Sequence, residues 1–319
     1  MDTPAPRTGD TVLLFVATVI GALLALPIAL VGLPMAAAGI AGLVYRDRAV
    51  TAAIACAIGV AAVGVVSVAY SVFAASALTA VFLTVLLLPR RSFQVVGAAL
   101  IGVLTLASVA SDALVARLQG TNLLAVVAKE SATAVEFLKK IAGNPTSADT
   151  LRAIEESTKL ISAAWPSAYF QSAVYASILV IAATVWAARR SGRPLEIPAL
   201  GQLDLSPHVL WPFVAGVFML AASYGSFSGS YTAYVVGLNL VLCVRTLFFL
   251  QGIGVAAGVL DRAGVGLGGR ILALAALAAL DVPTFALSLT GLLDFWVNFR
   301  RLSREGRTST VAEPDGRRW

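Results

Sequence analysis

The residues of this chain best placed to do chemistry are the few charges that stand inside long apolar runs. Arg245 is the sharpest case, set in the middle of residues 231–260 with no other charge on that run. An ionisable group at membrane depth is costly and marks a ligand path, a relay or an ion pair. At ~1.5 Å of helix per residue, Arg245 lies roughly 24 Å from Asp261, Asp281 roughly 28 Å from Arg300, and Asp112 roughly 31 Å from Arg91. Similar depths predict that Arg245 pairs with Asp281 first and Asp112 second. Such a pair either locks two helices together or offers an anionic ligand its anchor.

Neighbouring polar residues divide by helical geometry. Asn239, Arg245 and Gln251 recur at six-residue steps, which turn ~240° each, so the three side chains point in different directions. Gln251 instead shares a face with Gly254 and Gly258, a small-xxx-small pattern that predicts close helix packing with a hydrogen bond across it. Asp294, Asn298 and Arg301 fall at i, i+4 and i+7 and are expected on one face, flanked by Phe295, Trp296 and Phe299. That stripe would contact a cytoplasmic partner, or close an interfacial helix with Arg301 near its negative pole. Ala53, Ala57 and Ala61 form a further small-residue face able to dock a membrane subunit, although so Ala-rich a chain repeats this spacing by chance.

Other chemistries are poorly served. The single histidine, His208, has Asp204 and Ser206 beside it, but a histidine at a helix start is mostly interfacial, and catalysis needs a base and a nucleophile in reach. No enzyme activity is expected. Cys56 and Cys243 each lie in an apolar run with no CxxC, so no metal site and no cofactor are expected. Gly264, Gly266, Gly268 and Gly269 follow a membrane helix rather than a strand, which makes a flexible turn of them and not a phosphate loop.

The elements that must position these residues are membrane helices. Charged residues are 13% of the 319, hydrophobic residues 59%, and mean hydropathy is +0.88. An apolar stretch of about 20 residues spans a bilayer, and the chain holds many, which sets the class as all-α, polytopic and membrane-embedded. The net charge of +6 sits in short loops and at the C-terminus, as cytoplasmic loops require, and does not indicate nucleic acid. Residues 11–45 are too long for a signal-peptide core and no polar mature domain follows, so they read as retained membrane helix.

Basic groups at Arg46/Arg48, Arg90/Arg91, Arg189/Arg190/Arg193, Arg262/Arg270 and Arg300/Arg301/Arg304/Arg307 all belong on the cytoplasmic side. The chain must cross the membrane an even number of times between neighbouring groups. Residues 49–70 go out and 71–88 return; 93–115 go out and 166–188 return; 208–227 go out, turn at Ser228-Gly-Ser230, and 231–260 return. At the ends, parity requires 11–45 to break near Gly32-Leu-Pro34 and 268–299 to break at Asp281 and Pro283, giving short hairpins, full or re-entrant. About ten membrane segments result, with both termini cytoplasmic and no convincing internal repeat.

Between them, 117–165 is polar and nearly neutral. Leu123, Val127, Ala134, Leu138 and Ile141 recur at helical spacing, Asn144-Pro145 breaks the helix, and Thr146 or Ser147 caps a second one through Ile161. These outer amphipathic helices would form a lid, dock a partner, or simply cover the bundle. The expected regions are a cytoplasmic N-terminus (1–10), a first bundle part (11–116), the outer helices (117–165), a second bundle part (166–301) and a disordered cytoplasmic tail (302–319).

Two stretches carry a family resemblance: Gly237 to Ala257, with Asn239 and the Gln251-Gly252 pair, and Gly291 to Arg301, with its Gly-x-x-Asp, aromatic and Arg-Arg pattern. The Pro-containing start of 166–188 also fits. Together they make the C-terminal half resemble the YybS-like family of bacterial integral membrane proteins. That family is distantly similar to the substrate-capturing S components of energy-coupling-factor vitamin transporters. The resemblance implies a transport-related helical fold in a bacterial cytoplasmic membrane, with Ala53, Ala57 and Ala61 as the docking face for another membrane subunit. The expected function is thus a transport-related, small-molecule-binding subunit; the alternative is a membrane scaffold or assembly factor. The lipid bilayer is a partner under either.

Overall fold

The computed structural model describes residues 8–141, 148–224, 230–300 and 302. Within them run twelve α-helices: α1 (Thr8–Leu24), α2 (Ala29–Val44), α3 (Ala49–Val66), α4 (Val68–Leu87), α5 (Phe93–Leu118), α6 (Leu123–Ile141), α7 (Ala148–Ala163), α8 (Trp165–Arg190), α9 (Leu210–Tyr224), α10 (Tyr231–Arg262), α11 (Leu267–Thr284) and α12 (Ala286–Val297). No strand occurs among the described residues. The expected helix break at Asn144-Pro145, the caps at Thr146 and Ser147, residues 228 and 229 of the expected turn, Arg301 and the expected tail from 303 onward lie outside the described residues.

Among the described residues, six helices are long and apolar enough to cross a membrane: α3, α4, α5, α8, α9 with the turn before it, and α10. α11 and α12 pass the same test only together, bent by 100° at their junction, which would make seven. α1 and α2 are apolar but shorter, at 17 and 16 residues. The amphipathic α6 and α7 stand between α5 and α8 and pack on each other.

The first hairpin breaks earlier than the expected Gly32-Leu-Pro34. α1 ends at Leu24, the turn carries Pro27, and Pro34 lies inside α2. Proline disfavours the helical conformation of the residue before it, which stops α1 ahead of Pro27. Gly32 has a different task. A Cβ there would collide with the backbone of Ala25, its Cα only 2.5 Å away, and one on Gly21 would lie 2.5 Å from Ala36 N. Gly21 and Gly32 are where the α1 and α2 backbones touch, so Gly32 has to sit on the helix. At the other end, α11 runs through Asp281 and Pro283 and stops at Phe285, whose φ of 56° turns the chain.

The chain divides into two compact units. One comprises Met1–Ile197 with Pro212–Cys243; the other comprises Pro198–Trp211 with Val244–Trp319. In the first, α2 is the central helix, with Ala36, Ala37, Ile40, Ala41 and Leu43 fully buried against α1, α3, α4 and α8. Small side chains let these helices approach closely, and van der Waals packing replaces the hydrophobic drive that lipid does not supply. The second unit holds the C-terminal part of α10, α11, α12 and the segment before α9.

Candidate functional site

Arg245 lies 14 residues into α10, a helix of 32 residues. Such a helix is ~48 Å long against a hydrocarbon core of about 30 Å, which puts Arg245 near mid-depth. Its Nη2 donates to Asp281 Oδ2 at 3.3 Å and to the Asp281 carbonyl at 3.5 Å. Its guanidinium carbon stands 4.1 Å from the centroid of the Phe285 ring. The Nε is buried and has no hydrogen-bond partner among the described residues, while about a third of the side chain (32%) is exposed.

Asp281 is held more firmly by other groups. Its Oδ1 accepts from Ser288 N and its Oδ2 from Ser288 Oγ, both at 2.9 Å, and its side chain is 4% exposed. Ser288 is the third residue of α12, so the carboxylate caps an orphan N–H and meets the positive end of the helix dipole. The left-handed backbone at Phe285 costs a non-glycine residue roughly 1–2 kcal/mol. That strain is offset by this cap and by the arginine stacked on the ring. A break at membrane depth is tolerated where freed backbone groups find partners inside the protein, and Asp281 supplies one.

A second polar cluster lies further along α10, around Gln251. Gln251 is fully buried; its Nε2 donates to Asp204 Oδ1 (2.9 Å) and Asp294 Oδ2 (3.1 Å), and its Oε1 accepts from Leu205 N (3.0 Å). Arg300 completes it. Its Nη2 reaches Asp294 Oδ2 at 2.7 Å and Asp204 Oδ1 at 3.2 Å, while its Nη1 donates to the carbonyls of Gly201 and Leu203. Gly254 and Gly258 leave room for this. A Cβ on Gly254 would lie 3.0 Å from the Leu200 carbonyl, and Gly258 lies against Gly201 and the Arg300 methylenes. The face predicted to pack on a helix therefore packs on the backbone before α9. On the opposite side of the cluster, Gly252 and Gly291 bring α10 and α12 into backbone contact.

Asp294 and Asn298 do not share the face expected of them with Arg301, which itself lies outside the described residues. Asp294 is fully buried and faces inward, and its Oδ1 accepts from Phe299 N at 2.9 Å. α12 ends at Val297 because Asn298 takes a φ of 49° and exchanges hydrogen bonds with the Leu302 backbone. Spacing of i and i+7 aligns side chains only while a helix continues.

Asp112, expected as the second partner of Arg245, is engaged elsewhere: its Oδ2 accepts from the Tyr169 hydroxyl at 2.5 Å. Asn239 is fully used within the first unit. It accepts from Ser167 N (2.8 Å) and donates to the carbonyls of Ala163 (2.8 Å) and Val235 (2.7 Å), clasping the α7–α8 junction to α10. Asn239→Ala leaves the buried Ser167 N–H with its 3.0 Å bond to the Ala164 carbonyl and takes the amide donor from the Ala163 carbonyl, so about 1 kcal/mol of stability should go with it, read as a lowered melting temperature in detergent. Asp204 serves the Gln251 cluster, and His208 is exposed, its own N–H donating to Ser206 Oγ. Ala53, Ala57 and Ala61 are exposed on α3. Ala53 and Ala57 form one wall of an apolar groove of about 260 Å³ completed by Ala75, Thr79 and Phe82 of α4.

A family model described as Predicted membrane protein (DUF2232) matches residues 11–295. The chain belongs to that family. No curated protein and no solved structure matches it. The matched span of this DUF2232 chain contains Arg245, Asp281, Gln251 and Asp294, whereas Arg300 lies just beyond it. Sequence reasoning missed Arg300 because a basic pair after an apolar run reads as an interfacial group. It also missed Asp204 as the partner of Gln251. One signal was available: Gln251-Gly252 and Gly291 to Asp294, the two patterns singled out in the sequence, are the ones that meet in space.

Proposed function

We propose that this protein is a transport-related membrane subunit that binds a small anionic solute beside Arg245, in the manner of the S components it resembles. The observation that carries this reading is the bent α11–α12 pair with a loosely held arginine at its bend. The Arg245–Asp281 contact is 3.3 Å, longer than either contact Asp281 makes with Ser288, and Arg245 keeps an unpartnered Nε and an exposed third. Broken helices at mid-depth are where transporters place their substrate groups. In this reading all ten apolar helices enter the membrane, α1/α2 and α11/α12 as short hairpins, with both termini on the cytoplasmic side of a bacterial inner membrane. The protein performs no chemistry on its solute. A coupling subunit would use the exposed face of Ala53, Ala57 and Ala61.

The test is a ligand-induced shift in melting temperature with small carboxylates on the detergent-purified protein. A ligand at a hundred times its Kd stabilises the fold by about 2.7 kcal/mol, and Arg245→Gln should weaken that ligand at least ~10-fold, the ~1.4 kcal/mol of one charged hydrogen bond. Silence across the panel, together with a stably co-purified membrane protein, would instead favour a scaffold, the reading that the exposed α3–α4 groove supports.

A further inference from the structure

We propose that one end of the first unit is a docking surface for the headgroups of anionic phospholipids. Three ties place the charges there together. The Tyr45 hydroxyl at the end of α2 donates to the Val85 carbonyl near the end of α4 at 2.9 Å. Arg193, just past α8, pairs with Asp47 in the α2–α3 turn at 2.6 Å, and Arg46 in that turn pairs with Asp10 at the start of α1 at 3.2 Å. The turns α2–α3 and α4–α5 and the end of α8 thus form one rim. It carries Arg46, Arg48, Arg90, Arg91, Arg189, Arg190 and Arg193 against Asp10, Asp47 and Glu196, a net charge of +4. The C-termini of α2, α4 and α8 point to this rim and help to hold the cations. At the other end of the same unit, six basic residues (Arg117, Lys129, Lys139, Lys140, Arg152 and Lys159) meet six acidic ones (Asp112, Glu130, Glu136, Asp149, Glu155 and Glu156).

The rim also shows what its charges face. Arg48, Arg90, Arg91 and Arg189 make no ion pair among the described residues, and Arg90, Arg91 and Arg189 are exposed. Arg190 stacks on Trp186, one turn back along α8, at 5.1 Å, and that indole is 54% exposed. Val50, Leu87 and Val95, each within three or four residues of a rim arginine, are exposed apolar side chains. An exposed indole and aliphatics just inside a ring of guanidinium groups match the two halves of a lipid: acyl chain against Trp186, Leu87 and Val95, phosphate against arginine. A soluble acidic protein would need no such apolar border.

The experiment is native mass spectrometry of the full chain presented with equal amounts of phosphatidylglycerol and phosphatidylcholine. Unaltered protein should retain phosphatidylglycerol preferentially, and about 1 M salt, where the Debye length is ~3 Å, should erase the preference. Neutralising Arg90, Arg91, Arg189 and Arg190 to Gln should lower it about fivefold per arginine, from roughly 1 kcal/mol each. Lys139→Gln with Lys140→Gln, at the other end, should leave it unchanged. The proposal is overturned if the four-arginine variant keeps the wild-type preference, if both variants lose it equally, or if inorganic phosphate at constant ionic strength displaces the lipid. Should the four-arginine variant fail to fold, the salt and phosphate arms on unaltered protein still decide the matter.

Discussion

Arg300→Met is expected to destabilise the protein by about 3–5 kcal/mol, the cost of breaking a buried ion pair from one side. Arg300 joins three pieces of the second unit: the residues after α12, the backbone before α9 and, through Asp294, the face of α10. Its side chain is 2% exposed and that of Asp294 is wholly buried. Without the guanidinium, Asp294 loses its 2.7 Å ion pair, and the Gln251 amide at 3.1 Å and the Phe299 N–H at 2.9 Å are both uncharged donors. The Gly201 and Leu203 carbonyls lose a donor in the same step. Arg300→Lys should recover part of the loss, since an ammonium supplies the charge but not the planar fork that reaches two carboxylates and two carbonyls. Asp294→Leu combined with Arg300→Met should be less damaging than Arg300→Met alone, because it removes both buried charges of the pair. The double-mutant cycle, read as melting temperatures in one detergent, measures the coupling directly. A loss under ~1 kcal/mol, the worth of an exposed ion pair, would show that the cluster is open to water.

What could be read from the sequence, and what could not, follows from how far each rule reaches. Charge parity demanded that residues 11–45 and 268–299 break, and both do: α1 and α2 pack on each other, and α11 and α12 meet at a bend of 100°. Parity counts crossings without locating the turn, and the first turn is located by Pro27 and by the Gly21–Gly32 contact. Depth along two helices matched Arg245 to Asp281, because depth is a one-dimensional quantity that apolar runs preserve. It left Asp112 as a close second, and only the packing of α5 on α8 shows that Tyr169 occupies that carboxylate. Face arithmetic placed Gln251, Gly254 and Gly258 together inside a continuous helix, but misdirected Asp294 where the helix stopped three residues later. Buried polar residues such as Asn239 are drawn to orphan backbone groups at helix junctions, and no spacing rule says which junction will be near.

Gly291→Ala should be the most damaging single-methyl change in the second unit. A Cβ at Gly291 would overlap the Phe248 carbonyl oxygen and stand 2.7 Å from Gly252 N; one at Gly252 would overlap the Leu287 carbonyl and stand 2.7 Å from its carbon. The obstacles are backbone atoms of a facing helix, so no rotamer change relieves them. α10 and α12 must separate, and overpacking of this kind costs about 1–3 kcal/mol or more. Alanine's better helix propensity returns at most ~1 kcal/mol, so the clash sets the sign. Gly268→Ala is the control, because a Cβ there meets nothing within 4 Å; it should be neutral or slightly stabilising. The separation would reach both polar clusters, since α12 carries Ser288, which caps on Asp281, and Asp294, which binds Gln251 and Arg300. Gly291→Ala should therefore lower the melting temperature and also shrink the additional loss caused by Arg300→Met. Purely additive losses would mean that α12 holds its polar contacts without the glycine seam, and the close helix approach would then be a consequence of those contacts rather than their support.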